Sequence, residues 1–147
     1  MRAPMPEHAG ERGGSPSVEA AVLAVVLGLL IAFAIAGGRL VTAEAAADHA
    51  ARSAARVASL HREPGTAAAA ARQAAEASLA EQGLNCADLR ITLDTAGFAA
   101  PLGTPASVTA TVRCDVESSD LGLPGATGTR AIEATAASPI DRWRERA

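Results

Sequence analysis

Aromatic residues are scarce in this 147-residue chain: two Phe, one Trp and no Tyr. Single-stranded nucleic-acid binders use aromatic platforms and a clustered basic face, and the net charge here is −3 with acids and arginines interspersed. That combination argues against a nucleic-acid partner. Lysine is absent, so all thirteen basic residues are Arg. With the Ala and Gly excess, this reads as the imprint of a GC-rich genome. Catalytic signatures are missing too. There is no His-Glu-x-x-His, no Gly-x-Ser-x-Gly and no glycine-rich loop placed after a strand to cradle phosphate. His8, His49 and His61 share no metal-ligand spacing. Asp115 and Glu117 are expected on a solvent-facing strand side, where solubility or ion pairing is the default. The chain is therefore expected to be no enzyme and to need no cofactor or metal.

One long uncharged run is present, from Ala20 to Gly38, bounded by Glu19 and Arg39. As a helix it spans about 28 Å, close to the ~30 Å hydrocarbon core of a bilayer. Residues 1–13 hold Pro4, Pro6, Gly10 and Gly13 without periodicity and read as a leader. Pro16 suits the first turn of a helix, and Ser15 or Ser17 is placed to cap it. Ala20, Ala24, Gly28, Ala32 and Ala36 recur every fourth residue. Such a stripe lets another membrane helix approach closely, although an alanine-rich chain also produces one by chance. Arg39, Arg52 and Arg56 beyond the run outnumber Arg2 and Arg12 before it, so the positive-inside rule gives no support for a cytoplasmic leader. The two cysteines, both beyond the run, point instead to export of the C-terminal part.

Helical periodicity continues past Arg39. Leu40, Ala43, Ala47, Ala50, Ala54 and Val57 share one face, while Glu44, Asp48, Arg52 and Arg56 share another. The pattern predicts one nearly continuous helix from about Val18 to Leu60, ended by Pro64-Gly65, with Gly37-Gly38 as a candidate hinge. A second, alanine-rich helix is expected from an N-cap at Thr66 to Gln82, with Gly83 just past its end. The period then changes to two. Leu89, Ile91 and Leu93 form one run, Val108 to Val116 a second, and Ile132, Ala134 and Ala136 a weaker third. These predict a three-stranded antiparallel sheet packed on the stalk or the second helix, an α+β fold. Gly- and Pro-rich stretches at Ala96–Pro105 and Ser119–Gly128 read as loops.

Cys86 and Cys114 read as one disulfide rather than two unpaired buried thiols. Cys114 belongs to the apolar face of its strand, whereas Cys86 has the parity of the polar face of the strand after it. The bridge therefore requires Cys86 to lie in the turn before that strand.

Two readings of the apolar run remain. Ala34-Ile35-Ala36 fits a signal-peptide cleavage pattern, and a cut before Gly37 would release a secreted binding domain. Against this, the run is long, Glu19 stands where a basic segment should end, and the helix pattern continues past the cut. Alternatively, Gly14 followed by four residues and Glu19, leading into the apolar run, resembles a type IV-pilin-like export signal. The succession of leader, Gly-x4-Glu, apolar helix, Ala/Arg-rich stalk (Glu44–Leu60), second helix, two-cysteine β segment and the tail Ser138–Trp143 resembles TadE-like pilus-assembly proteins of high-GC Gram-positive bacteria. One departure is Ala20, where Flp-type signals usually carry Tyr.

The resemblance implies a minor pseudopilin with a leader at 1–14, a transmembrane helix at 15–38, an amphipathic stalk at 39–63 and an exported α+β domain at 64–147. It implies cleavage by a prepilin peptidase between Gly14 and Ser15, and association with other pilins and an assembly platform. It further implies a single-pass membrane protein with a cytoplasmic N-terminus and an extracellular domain. Glu19 would then either pair with the N-terminal amine of a neighbouring subunit or simply face water and suit the helix dipole.

Overall fold

A computed structural model describes residues 16–122 and 127–143. The first helix, α1 (Pro16–Ser59), has 44 residues, about 66 Å of helix. It runs without interruption through Gly37 and Gly38. Neither glycine has positive φ, and a Cβ on either would meet nothing within 4 Å. Their cost is the usual helix penalty of about 1 kcal/mol each, which does not break a helix of this length. No hinge forms there.

α1 closes with a tightened turn, in which Leu60 N–H reaches Val57 O and His61 N–H reaches Ala58 O, both at 3.1 Å. The second helix, α2 (Pro64–Glu81), starts two residues earlier than the expected cap at Thr66. Its N-cap is Glu63, in extended conformation and with no side-chain cap bond. Pro64 opens the helix because its fixed φ suits the first turn and its missing N–H would have had no partner there. Thr66 instead donates its hydroxyl to Glu63 O at 3.1 Å. Pro64-Gly65 is thus the start of the second helix, not the terminator of the first.

The far end of α2 is as the pattern suggests. Gly83 adopts φ +67°, its N–H bonds Ala80 O, and Leu84 N–H bonds Leu79 O, both at 3.0 Å. This paired arrangement satisfies two orphan carbonyls and turns the chain toward the sheet.

Three antiparallel strands follow in the order β1 (Asp88–Asp94), β2 (Ala106–Glu117) and β3 (Thr129–Ile140). β3 is longer than the Ile132–Ala136 run that announced it. Alanine gives a weak strand signal, and Pro139 argues against a central strand. β3 lies at the sheet edge, where the missing N–H of Pro139 need not break a ladder. The β1–β2 loop includes a 3-10 turn (Ala96–Ala99) that buries Phe98, at 5 % exposure, over the end of the core.

One face of the sheet packs on α1 and α2. Ala50, Ala54, Ala58 and Ala71 of the helices meet Val108, Ala110 and Val112 of β2 in one buried cluster. Alanine lets backbones approach closely, so the helices sit tight although each buried side chain is small. The largest fully buried side chains are only Val108, Val112, Val116 and Cys114. Ser138 Oγ bonds Ser59 Oγ at 3.0 Å, fastening the end of α1 to β3. His49 Nδ1 lies 2.9 Å from Ser78 Oγ, tying α1 to α2.

Candidate functional site

Most of the apolar part of α1 is left uncovered by the other described residues. Val22, Leu23, Leu27, Leu30 and Phe33 are all exposed, and only 6 % of the most apolar window is buried. Soluble domains rarely expose so large an apolar surface, because each Å² left in water forgoes about 25 cal/mol. The helix is long and apolar enough to cross a bilayer, with a mean hydropathy of 2.8 in that window. Glu19 sits in its first turn, exposed, where a carboxylate suits the positive end of the helix dipole. Gly14 and Ser15 lie outside the described residues. Ala20, Ala24 and Gly28 are exposed along the helix, Ala32 is half-buried and Ala36 is 4 % exposed.

Ala36 is covered because the sheet domain reaches down the helix past Arg39. Leu121, 3 % exposed, packs in a cluster with Ala43, Ala47, Cys114, Val116 and Ile132, against which Leu40 also packs. Arg39 donates from Nη1 to Asp120 O at 3.2 Å. Below this contact, a cavity of about 220 Å³ is lined by Phe33, Ala36, Gly37, Leu40, Leu121 and Arg130. A larger cleft of about 700 Å³ opens beside Arg39, Thr42, Asn85 and Asp120. Leu121 and Arg130 flank a Gly/Pro-rich loop with no periodicity, so sequence reasoning had no signal by which to place them on the helix.

The disulfide joins Cys86 to Cys114, with Cα atoms 5.2 Å apart. Cys86 lies in the turn between α2 and β1, as strand parity required. Cys114 stands opposite Leu89 on β1 and Ile132 on β3, on the buried face of β2. The bridge therefore fixes the end of α2 to the middle strand, one layer from the junction with α1.

Among the described residues, no group of three or more His, Cys, Asp or Glu side chains is placed to hold a metal ion. His49 and His61 sit apart on α1 and just beyond it, and His8 lies outside the described residues. Asp115 and Glu133 flank Arg113 on the outer face of the sheet at 3.7 Å, in the ion-pair role expected of exposed charges there.

No curated protein and no solved structure matches the chain. Residues 14–56, from the glycine of the Gly-x4-Glu motif through nearly all of α1, match the family described as TadE-like protein.

Proposed function

Taking this as a TadE-like, pilus-associated chain, we propose that it is a minor pseudopilin, a structural and non-enzymatic subunit of a Flp-type (tight-adherence) pilus system. The observation that carries the reading is the junction of two unlike halves in one unbroken helix. The first half of α1 is an exposed apolar rod of bilayer length, and the second half is the spine of a folded domain. A subunit built this way transmits the position of its membrane helix to its domain without a flexible linker.

A prepilin peptidase acting after Gly14 would leave Ser15 as the new N-terminus and Glu19 four residues along, in the first turn of the helix. An isolated carboxylate at membrane depth is costly, so a neighbour's amine offers it a partner and sets the stagger between subunits. Ala20, Ala24, Gly28 and Ala32, which carry little side-chain bulk, would form the seam along which neighbouring helices meet. The N-terminus would be cytoplasmic and the sheet domain extracellular, where a disulfide persists. Partners are the peptidase, other pilins and the assembly platform. The packing of α1 counts against secretion by cleavage before Gly37, because that cut would remove Ala36 from its buried position and start the domain in mid-helix.

The test is a strain lacking this chain, complemented with the wild type and with Glu19→Gln. Loss of surface pili on deletion, restored by the wild type, supports the role. Unchanged piliation on deletion refutes it.

A further inference from the structure

The cavity where the sheet domain meets α1 has a graded chemistry. Three of its lining residues, Phe33, Ala36 and Gly37, belong to the Ala20–Gly38 apolar run. On the proposed topology its lower end lies at bilayer depth and opens toward the acyl chains through Phe33, which is 66 % exposed. Leu40 and Leu121 close its sides. Arg130 lines it from the start of β3, whereas Arg39, one residue before Leu40, lines the adjoining larger cleft. Both arginines are exposed. The ion pairs among the described residues involve Arg52, Arg90 and Arg113, not these two. Arg39 makes a bond to the Asp120 carbonyl, which leaves its charge uncompensated by that contact. Asp120 and Arg39 both line the larger cleft, so Arg130 is the cation of this cavity.

An apolar slot continuous with the membrane and carrying one cation, Arg130, in its lining matches an amphiphile with an apolar tail and an anionic head. We propose that this crevice holds an anionic phospholipid of the outer leaflet. One acyl chain would lie along Phe33, Gly37 and Leu40, and the phosphate would be held by Arg130. Guanidinium groups suit phosphate oxygens by charge and by the geometry of their donors. The lipid would fill a gap that otherwise leaves apolar surface uncovered where the domain meets the membrane. It would also fix the depth at which the domain rides on the bilayer. The inference rests on the membrane-spanning reading of α1.

The experiment uses the full chain in nanodiscs of phosphatidylcholine with a minor fraction of phosphatidylglycerol. Lipids retained after transfer to detergent are counted by native mass spectrometry. The expected result is one phosphatidylglycerol per chain, retained in preference to phosphatidylcholine. Arg130→Gln should lower that retention about fivefold, whereas Arg62→Gln, beyond the far end of α1, should leave it unchanged. Gly37→Leu fills the crevice from within. A Cβ there meets nothing within 4 Å and the helix favours it, so this variant should fold and lose the lipid. Equal retention of the two phospholipids, unchanged retention in Arg130→Gln, or a second copy of the chain in place of the lipid would each overturn the proposal while leaving the membrane span intact. A chain recovered from the soluble fraction instead of the nanodiscs would overturn both.

Discussion

Replacing both cysteines by alanine should bring the sheet domain close to unfolding. The bridge spans a sequence separation of 28. A closed loop of about 29 residues loses ~12 cal/mol/K of unfolded-state entropy, or ~3.6 kcal/mol at 25 °C. The core it supplements is thin. Its largest fully buried side chains are three valines and one half of the cystine itself, which places the domain near the lower end of the usual range, about 5 kcal/mol. Subtracting the bridge leaves ~1.4 kcal/mol, which corresponds to about one molecule in ten unfolded at 25 °C. The assay is hydrogen exchange on the full chain in detergent micelles, read at the amides of Val108 and Val112 in the central strand. These amides exchange through the larger opening events, so their protection should fall several hundred-fold in the double variant. Amides from Val18 to Leu30 on α1 should change little, since those residues are exposed and lie away from the sheet domain. A fall of less than tenfold in β2 would refute the claim that the disulfide carries most of the domain's margin.

Three other outcomes are expected. Gly97→Ala should destabilise the domain by about 2 kcal/mol or more in a thermal melt. Its Cβ would run into the backbone carbonyl of Ser107, which no side-chain rotation relieves, whereas Gly38→Ala meets nothing and should be neutral or slightly stabilising. Ala71→Leu, at 0 % exposure in the α1–α2–sheet cluster, should cost about 1–3 kcal/mol by overpacking, while Ala69→Leu on the exposed side of α2 should cost little. Glu19→Gln should preserve helix content by circular dichroism yet reduce piliation. Full piliation in that variant would mean that the Glu19 carboxylate has no pairing role.

Where polarity alternates cleanly, the sequence announces the structure. The Leu89–Leu93 and Val108–Val116 runs mark β1 and β2, and Gly83 marks the end of α2 through the one φ that glycine supplies there. The parity of Cys86 and Cys114 locates the disulfide in the turn. Elsewhere alanine blurs the pattern. Ala131 and Ala137 carry almost no strand preference, so the ends of β3 give no strand signal beside Pro139. Likewise Ala51 and Ala55, buried on α1, lie off the face that the larger residues marked, because α2 and the sheet together cover more than one side of the helix. The cap at Glu63 leaves no capping signature in the sequence because Pro64, not a side-chain oxygen, fixes that start. The descent of Leu121 and Arg130 onto α1 is a tertiary contact, and no local pattern encodes it.

The central claim is that α1 is retained whole, as both membrane anchor and domain spine, after removal of the leader. Intact-mass and N-terminal peptide spectrometry of the chain, purified from membranes of cells that carry the prepilin peptidase, tests it directly. The account predicts a mature N-terminus at Ser15, with the Cys86–Cys114 bridge present. A chain beginning at Gly37 in the culture medium would contradict it, and a membrane chain still beginning at Met1 would contradict the processing.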